Sequence, residues 1–249
     1  MILIKNKSAI EKMRVAGRLL AQIMEDVKKI VISGNTTLQI DNFIEKRMIL
    51  VGLKPECKGY AGYEYATCIS LNDVIVHGIP SDKIVLKSGD FVKIDVVGSY
   101  KGYCADLARY FFIETVDPSV KHIAQVAQCA LDKAIEKAVV GNRLSDLSYC
   151  IQQEVEGEGF NVVRDFAGHG IGKYMHEEPD IPNYGKPSKG PILRSGMTLA
   201  IEPMITQGKS TVKIMEDGWT AKTFDGGLAA HVEDTILITE NGPQVFTRL

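Results

Sequence analysis

Hydrophobic positions along this chain follow two periods, and the same succession of periods occurs twice. Apolar residues between positions 8 and 31 fall on one helical face. Ser8 followed three residues later by Glu11 has the form of a capping box, so a helix is predicted from Ser8 to about Val31. Thr36 and Gln39 open a second helix, with Ile40, Phe43, Ile44 and Met48 on one face, ending near Gly52. Apolar runs then predict strands around residues 74–77, 91–97 and 103–113. After residue 116 the order repeats. Asp117-Pro118 starts a helix, because the missing N–H of proline is harmless in a first turn. Its buried face is Ile123, Ala127, Leu131, Ala134 and Ile135, and Gly141 ends it. Ser145 is expected to cap a fourth helix running towards Gly159, and strands follow near residues 197–205 and 231–238.

The repetition extends to single residues. Leu86, Ser88 and Gly89 precede the run ending in Ile94-Asp95; Leu193, Ser195 and Gly196 precede the run ending in Ile201-Glu202. One spacing of 107 residues carries Asp95 onto Glu202, Gly34-Asn35 onto Gly141-Asn142 and Gly52 onto Gly159. His77-Gly78-Ile79 has a weaker echo in His169-Gly170-Ile171. The chain is therefore read as one α+β domain over residues 1–249, built of two similar halves, about 1–115 and 116–249. Strands of both halves would form one sheet, with helices as a second layer.

Composition narrows the class without choosing a function. The 249 residues are 45% hydrophobic and 24% charged, with a net charge of −2, as in an ordinary soluble protein. No run of Lys or Arg is longer than two, so electrostatic binding of nucleic acid has no support. No stretch approaches the length of a membrane span, and residues 1–12 lack the apolar core of a signal peptide. Five scattered cysteines without C-x-x-C spacing read as reduced thiols, and a cytoplasmic location is expected.

Chemistry concentrates at the repeated strand ends. Asp95 and Glu202 each close an apolar run, where an uncompensated carboxylate costs several kcal/mol. Asp106 and Glu233 lie in the next strand-like run of each half, and four converging carboxylates repel unless a cation lies between them. His169, between Gly168 and Gly170, adds a nitrogen donor on a backbone that can approach closely. Five donors are too many for one ion and suit two bridged ions; the oxygen-rich set favours Mn, Fe or Co. Taken singly, an Asp in a strand is more often an edge or bulge residue, and a lone His a hydrogen-bonded core residue. The fixed spacing weighs against that, but spacing alone leaves both readings open.

At these residues the chain resembles the type I methionine aminopeptidases. The resemblance runs through almost the whole sequence. Its most specific stretches are residues 70–80 (SLNDVIVHGIP), Gly168-His169-Gly170-Ile171-Gly172 and residues 197–203 (MTLAIEP). It implies the pita-bread fold, two pseudo-symmetric halves with a central curved antiparallel sheet covered by helices. It also implies removal of N-terminal methionine ahead of a small second residue, by a metal-bridged water that attacks the scissile carbonyl. Asp95, Asp106, His169, Glu202 and Glu233 would hold two divalent ions (Co, Mn, Fe, Ni or Zn), and Glu202 would also carry the proton. His77 would contact the scissile amide or the residue after it, and His176 the carbonyl oxygen. Cys57, Tyr60, Tyr63, Cys68, Met175 and Trp219 would form the methionine pocket; on their own, Tyr60 and Tyr63 read equally as turn aromatics and Cys68 as a core filler. Substrates would be nascent chains and peptides beginning with Met. Transient ribosome contact follows from that substrate rather than from any feature of the chain, and a monomer is expected.

The chain departs from the family pattern at Cys104-Ala105 before the second ligand, where His-Gly is usual. It departs again at Val97, where Thr is common, and at His231 and Asp234, where Gln and His are usual. Two rivals remain. Asp106-Leu107-Ala108-Arg109 leans towards the Xaa-Pro aminopeptidases and prolidases of the same fold, although those chains carry a large extra N-terminal domain. A pita-bread domain could also serve as a non-catalytic binding module, but all five ligand positions are filled. The 33 residues between His169 and Glu202 exclude the long type II insertion. Gly208-Lys209-Ser210 lacks the glycine that a phosphate loop requires five residues earlier. The segment 208–227, carrying Trp219, reads either as a mobile rim over the pocket or as a plain surface hairpin.

Overall fold

The computed structural model describes residues 2–249. Four helices stand where the periodicity puts them: α1 (Lys7–Val27), α2 (Thr37–Leu50), α3 (Pro118–Lys137) and α4 (Leu144–Gly157). The strands in chain order are β1 (Lys54–Pro55), β2 (Cys68–Leu71), β3 (Val74–Val76), β4 (Phe91–Tyr100), β5 (Tyr103–Phe112), β6 (Asn161–Val162), β7 (Ala167–Gly170), β8 (Glu177–Pro182), β9 (Thr198–Ile201), β10 (Met204–Thr206), β11 (Val212–Ile214), β12 (Ala221–Thr223), β13 (Ala229–His231), β14 (Glu233–Thr239) and β15 (Gly242–Val245).

Local chemistry explains the helix ends and corrects two of them. Thr36 and Gln39 do form a reciprocal capping box on α2. Helix α1, however, is capped by Asn6, whose side-chain oxygen accepts from the Ala9 N–H at 2.9 Å; Ser8 lies inside the first turn. At α4 the cap position is Arg143, whose N–H donates to the Asp146 carboxylate at 2.8 Å. Ser145 instead ties the helix to a distant loop, donating to Lys189 O and accepting from Lys189 N–H. The segment 208–227 is a hairpin of β11 and β12 that pairs onward to β3, so it is part of a three-stranded sheet.

A nine-stranded sheet forms the centre. Its main path runs β1-β4-β5-β14-β9-β7-β8, with β2 added to β4 and β15 to β14, and every pairing in it is antiparallel. Alternation along the strands separates its two faces. Val92, Ile94 and Val96 of β4, with Ala105 and Leu107 of β5, bury against Leu20, Ile23, Ile40, Ile44 and Met48 of α1 and α2. Leu199 and Ile201 of β9 and Ile236 and Ile238 of β14 bury against the apolar faces of α3 and α4. Each such Leu, Ile or Val contributes about 1.5–3 kcal/mol relative to exposure. All four helices thus cover one face, and the intervening residues, Asp95 and Asp106 among them, face the other way.

The two halves repeat their connections as well as their elements. Gly34 N–H donates to Leu86 O at 2.9 Å and Gly141 N–H to Leu193 O at 3.1 Å; the return bonds, Leu86 N–H to Asn35 O and Leu193 N–H to Asn142 O, are both 2.8 Å. The 107-residue spacing read in the sequence is therefore a spacing of hydrogen bonds.

Candidate metal centre

Strand register assembles the site. Asp95 of β4 pairs with Ala108 of β5, and Ala108 pairs on its other side with Glu233 of β14. Asp234 pairs with Ile201, so one residue further on Glu202 comes opposite Glu233. Asp95, Ala108, Glu233 and Glu202 therefore form one row across four neighbouring strands, on the face away from the helices. Asp106 lies two residues from Ala108 and shares that face. His169 of β7 pairs with Ala200, two residues before Glu202. Five adjacent strands deliver one expected ligand each. The small side chain of Ala108 stands between Asp95 and Glu233 in this row, a position the sequence reading did not single out.

Proline and glycine fix the details. Residues 197–205 read as one strand, but the run breaks into β9 and β10 at Glu202-Pro203, because Pro203 has no N–H for the ladder. Glu202 sits at that break. A Cβ on Gly170 would come within 2.1 Å of Glu178 O, and one on Gly168 within 2.5 Å of Ala200 O. Both glycines let the His169 strand press against its neighbours. Gly170→Ala should therefore destabilise the fold by about 3 kcal/mol through backbone displacement, measurable by denaturant titration. His77 adopts φ +59°, a left-handed conformation rare outside glycine and found where surrounding structure holds a side chain to a task.

A cleft of about 120 Å³ is lined by Cys57, Tyr60, Tyr63, Cys68, His77, Asp95, Val97, Asp106, His169, Met175, His176, Glu202, Trp219 and Glu233. Every expected site residue lies in this one cleft. Asp106, His169 and Glu233 are buried, while Asp95 and Glu202 keep part of their surface open. The His169 Nε2 is 3.4 Å from Glu202 Oε1 and 3.9 Å from Asp106 Oδ2. His169 Nδ1 lies 3.0 Å from Gly170 O, which fixes the ring. Thr235 holds the Asp106 backbone from both sides: Asp106 N–H donates to its hydroxyl, and that hydroxyl donates to Asp106 O, both at 2.8 Å.

Six buried side-chain polar atoms among the described residues have no hydrogen-bond partner, and four are here: Asp95 Oδ1, Asp106 Oδ1, Glu233 Oε1 and His231 Nε2. Orphaned acceptors gathered at one point fit a cation. Two trios have ligand atoms within 4.8 Å of one another, Asp106–His169–Glu233 and Glu202–His231–Glu233. Electrostatics agree. Burial pushes the Asp95 carboxyl up to about 6, with the charge of Glu202 adding to it. Burial also raises Asp106, Glu202 and Glu233, aided at Asp106 and Glu233 by neighbouring carboxylates. Burial lowers His77, His169 and His231 to about 4, so each is a neutral imidazole with a free lone pair.

The rest of the cleft is apolar with a few aimed polar groups. Tyr63 meets the Trp219 ring at 4.9 Å, and both pack with Cys57, Cys68, Val97 and Met175 in one hydrophobic cluster. The Cys57 thiol is pushed well up by its hydrogen bond with Cys68 and by burial, so it stays neutral. His176 stands edge-on to His169, with ring centres 4.5 Å apart, and its Nδ1 is 3.2 Å from the Tyr60 hydroxyl. Next to it, Glu177 makes a 2.6 Å ion pair with Lys5, both side chains buried, which pins the loop carrying His176. Sequence reasoning missed Phe166, whose ring braces His77 at 5.3 Å. It read His231 as an extra proton carrier or, more readily, a hydrogen-bonded surface or supporting histidine; the side chain is instead buried, with Nε2 unpartnered.

This fold and this cleft are those of a metallopeptidase, and the family model of metallopeptidase family M24 matches residues 11–240. A methionine aminopeptidase of Clostridium acetobutylicum is 44% identical over 247 residues, covering 99% of each chain. Methionine aminopeptidase 1 of Bacillus subtilis is 42% identical over 249 residues, covering 100% of both. The crystal structure of a methionine aminopeptidase from Thermotoga maritima superposes with a TM-score of 0.98 at 46% identity, over 100% of both chains. The chain belongs to the M24 metallopeptidases, on their methionine aminopeptidase branch, and has their pita-bread fold.

Proposed function

We propose that this chain removes the N-terminal methionine from nascent proteins and peptides, with two divalent ions held by Asp95, Asp106, His169, Glu202 and Glu233. The observation that carries the metal reading is the set of orphaned carboxylate oxygens converging on one buried row. Its oxygen-rich donors suit Mn, Fe or Co, with Ni and Zn as further candidates. Such ions supply Lewis acidity, lowering the pKa of water and polarising a carbonyl.

The protein's own groups do the rest. Glu202, raised by burial, is suited to take a proton from water and pass it to the leaving amine. His176, kept neutral by burial and oriented by the Tyr60 hydroxyl, can donate to the carbonyl oxygen as charge grows there. His77, braced by Phe166, faces the scissile amide. Tyr63, Cys57, Cys68, Met175 and Trp219 offer an unbranched side chain an apolar slot that closes on acids. No helix among the described residues is long and apolar enough to cross a membrane, in keeping with a cytoplasmic enzyme working on emerging chains.

Assays of Met-Ala-Ser against Ala-Pro peptides, with added Mn or Co, test this reading. Release of methionine at a rate well above proline-peptide cleavage is expected. Preference for the proline peptide would assign the chain to the Xaa-Pro branch.

A further inference from the structure

His231 stands where the family usually has glutamine, and its geometry resembles that of His169. It is buried at 2% exposure, and its Nε2 has no hydrogen-bond partner. That atom lies 3.6 Å from Glu202 Oε2 and 4.0 Å from Glu233 Oε2. Both distances are too long for a hydrogen bond. They do match the edges of a coordination shell: two donors each about 2.1 Å from one ion stand roughly 3.0–4.2 Å apart. The His169 spacings of 3.4 and 3.9 Å lie in the same range. The two trios that could hold an ion share Glu233 but have different imidazoles.

We propose that His231 is a metal ligand, so that this site holds each of its two ions with one imidazole nitrogen and shares Glu233 between them. The inference rests on the dinuclear reading above and adds a sixth protein donor to it. The local fold supports it. His231 ends β13 and Glu233 begins β14, with Val232 turned into the core between them. The break brings both side chains to one corner of the carboxylate row, Glu233 lining the cleft and His231 Nε2 buried just behind it, within 4.0 Å of Glu202 and Glu233. Lys93, whose charge bears on His231, is already committed, donating from Nζ to Asn72 O at 2.9 Å, so it does not neutralise these carboxylates by a hydrogen bond. A second nitrogen donor moves the preference of that ion along the first row, towards Co, Ni and Zn and away from Mn.

Proton NMR of the enzyme loaded with two equivalents of Co(II) counts the ligating histidines. A Co-bound imidazole shows a solvent-exchangeable ring N–H resonance far outside the diamagnetic range. Two such resonances are expected in the wild type. His231→Gln should lose one and keep the other, and calorimetry on that variant should find one of the two Co(II) ions bound at least about tenfold more weakly. A single wild-type resonance, absent only in His169→Gln, would overturn the assignment of His231 while leaving the dinuclear reading in place. An absence of Co(II) uptake by the wild type would overturn both.

Discussion

Replacing Glu202 by glutamine should lower kcat on Met-Ala-Ser about a thousandfold while changing KM little. The carboxylate lies at the end of the row, beside the break at Pro203, within reach of both imidazoles: 3.4 Å from His169 Nε2 and 3.6 Å from His231 Nε2. General acid–base catalysis contributes about 10²–10⁴ in rate, and a thousandfold corresponds to roughly 4 kcal/mol of barrier. Glutamine keeps the volume and one carbonyl oxygen but can neither accept nor deliver the proton. Removing one buried charge from a crowded set of acids should leave the metal-free fold at least as stable, which thermal unfolding in chelator would verify. A variant within tenfold of wild-type kcat would show that another group moves the proton.

Stripping divalent ions should abolish hydrolysis, and restoring Co or Mn should return it. It should also reduce stability, because an ion that binds only the folded chain contributes about 4 kcal/mol at a thousand times its dissociation constant. The pH dependence follows from the buried acids. Without an ion, Asp95 holds its proton up to about pH 6, and Asp106, Glu202 and Glu233 are shifted in the same direction. Binding expels those protons, so affinity should rise as pH rises from 5 to 7, with proton release visible by calorimetry in buffers of different ionisation heat. The imidazoles at about 4 are neutral throughout that window and add nothing to it. In the metal-free chain the sign of the stability effect is the reverse. The folded Asp95 grips a proton more tightly than the unfolded chain does, so its stabilisation, full below pH 4, fades as pH climbs through about 6. An enzyme that keeps full activity with metal below stoichiometric traces would refute the metal reading.

The helices and most strands were legible because period is a local property. Thr36-x-x-Gln39 and Asp117-Pro118 carried their own caps, and both were found as read. Ser8 and Ser145 misled because a hydroxyl near a helix start competes with better acceptors one or two residues away, Asn6 in one case and Asp146 in the other. All thirteen expected site residues came together in one cleft, on the strength of a family resemblance and a duplicated acid position. Sequence could not give the register that sets Ala108 between Asp95 and Glu233, since pairing across strands depends on partners far away in the chain. Nor could it show that the β13–β14 break turns His231 inward. A single unexpected side chain has no periodicity to announce it.

The row across β4, β5, β14 and β9 has a consequence for how the protein matures. Both potential ion trios include Glu233, which begins β14. Neither can close until the last long strand has docked between β5 and β9. A copy synthesised only as far as β9 therefore has no complete metal pocket, and β14 must be made and docked before the enzyme can act on other newly made chains.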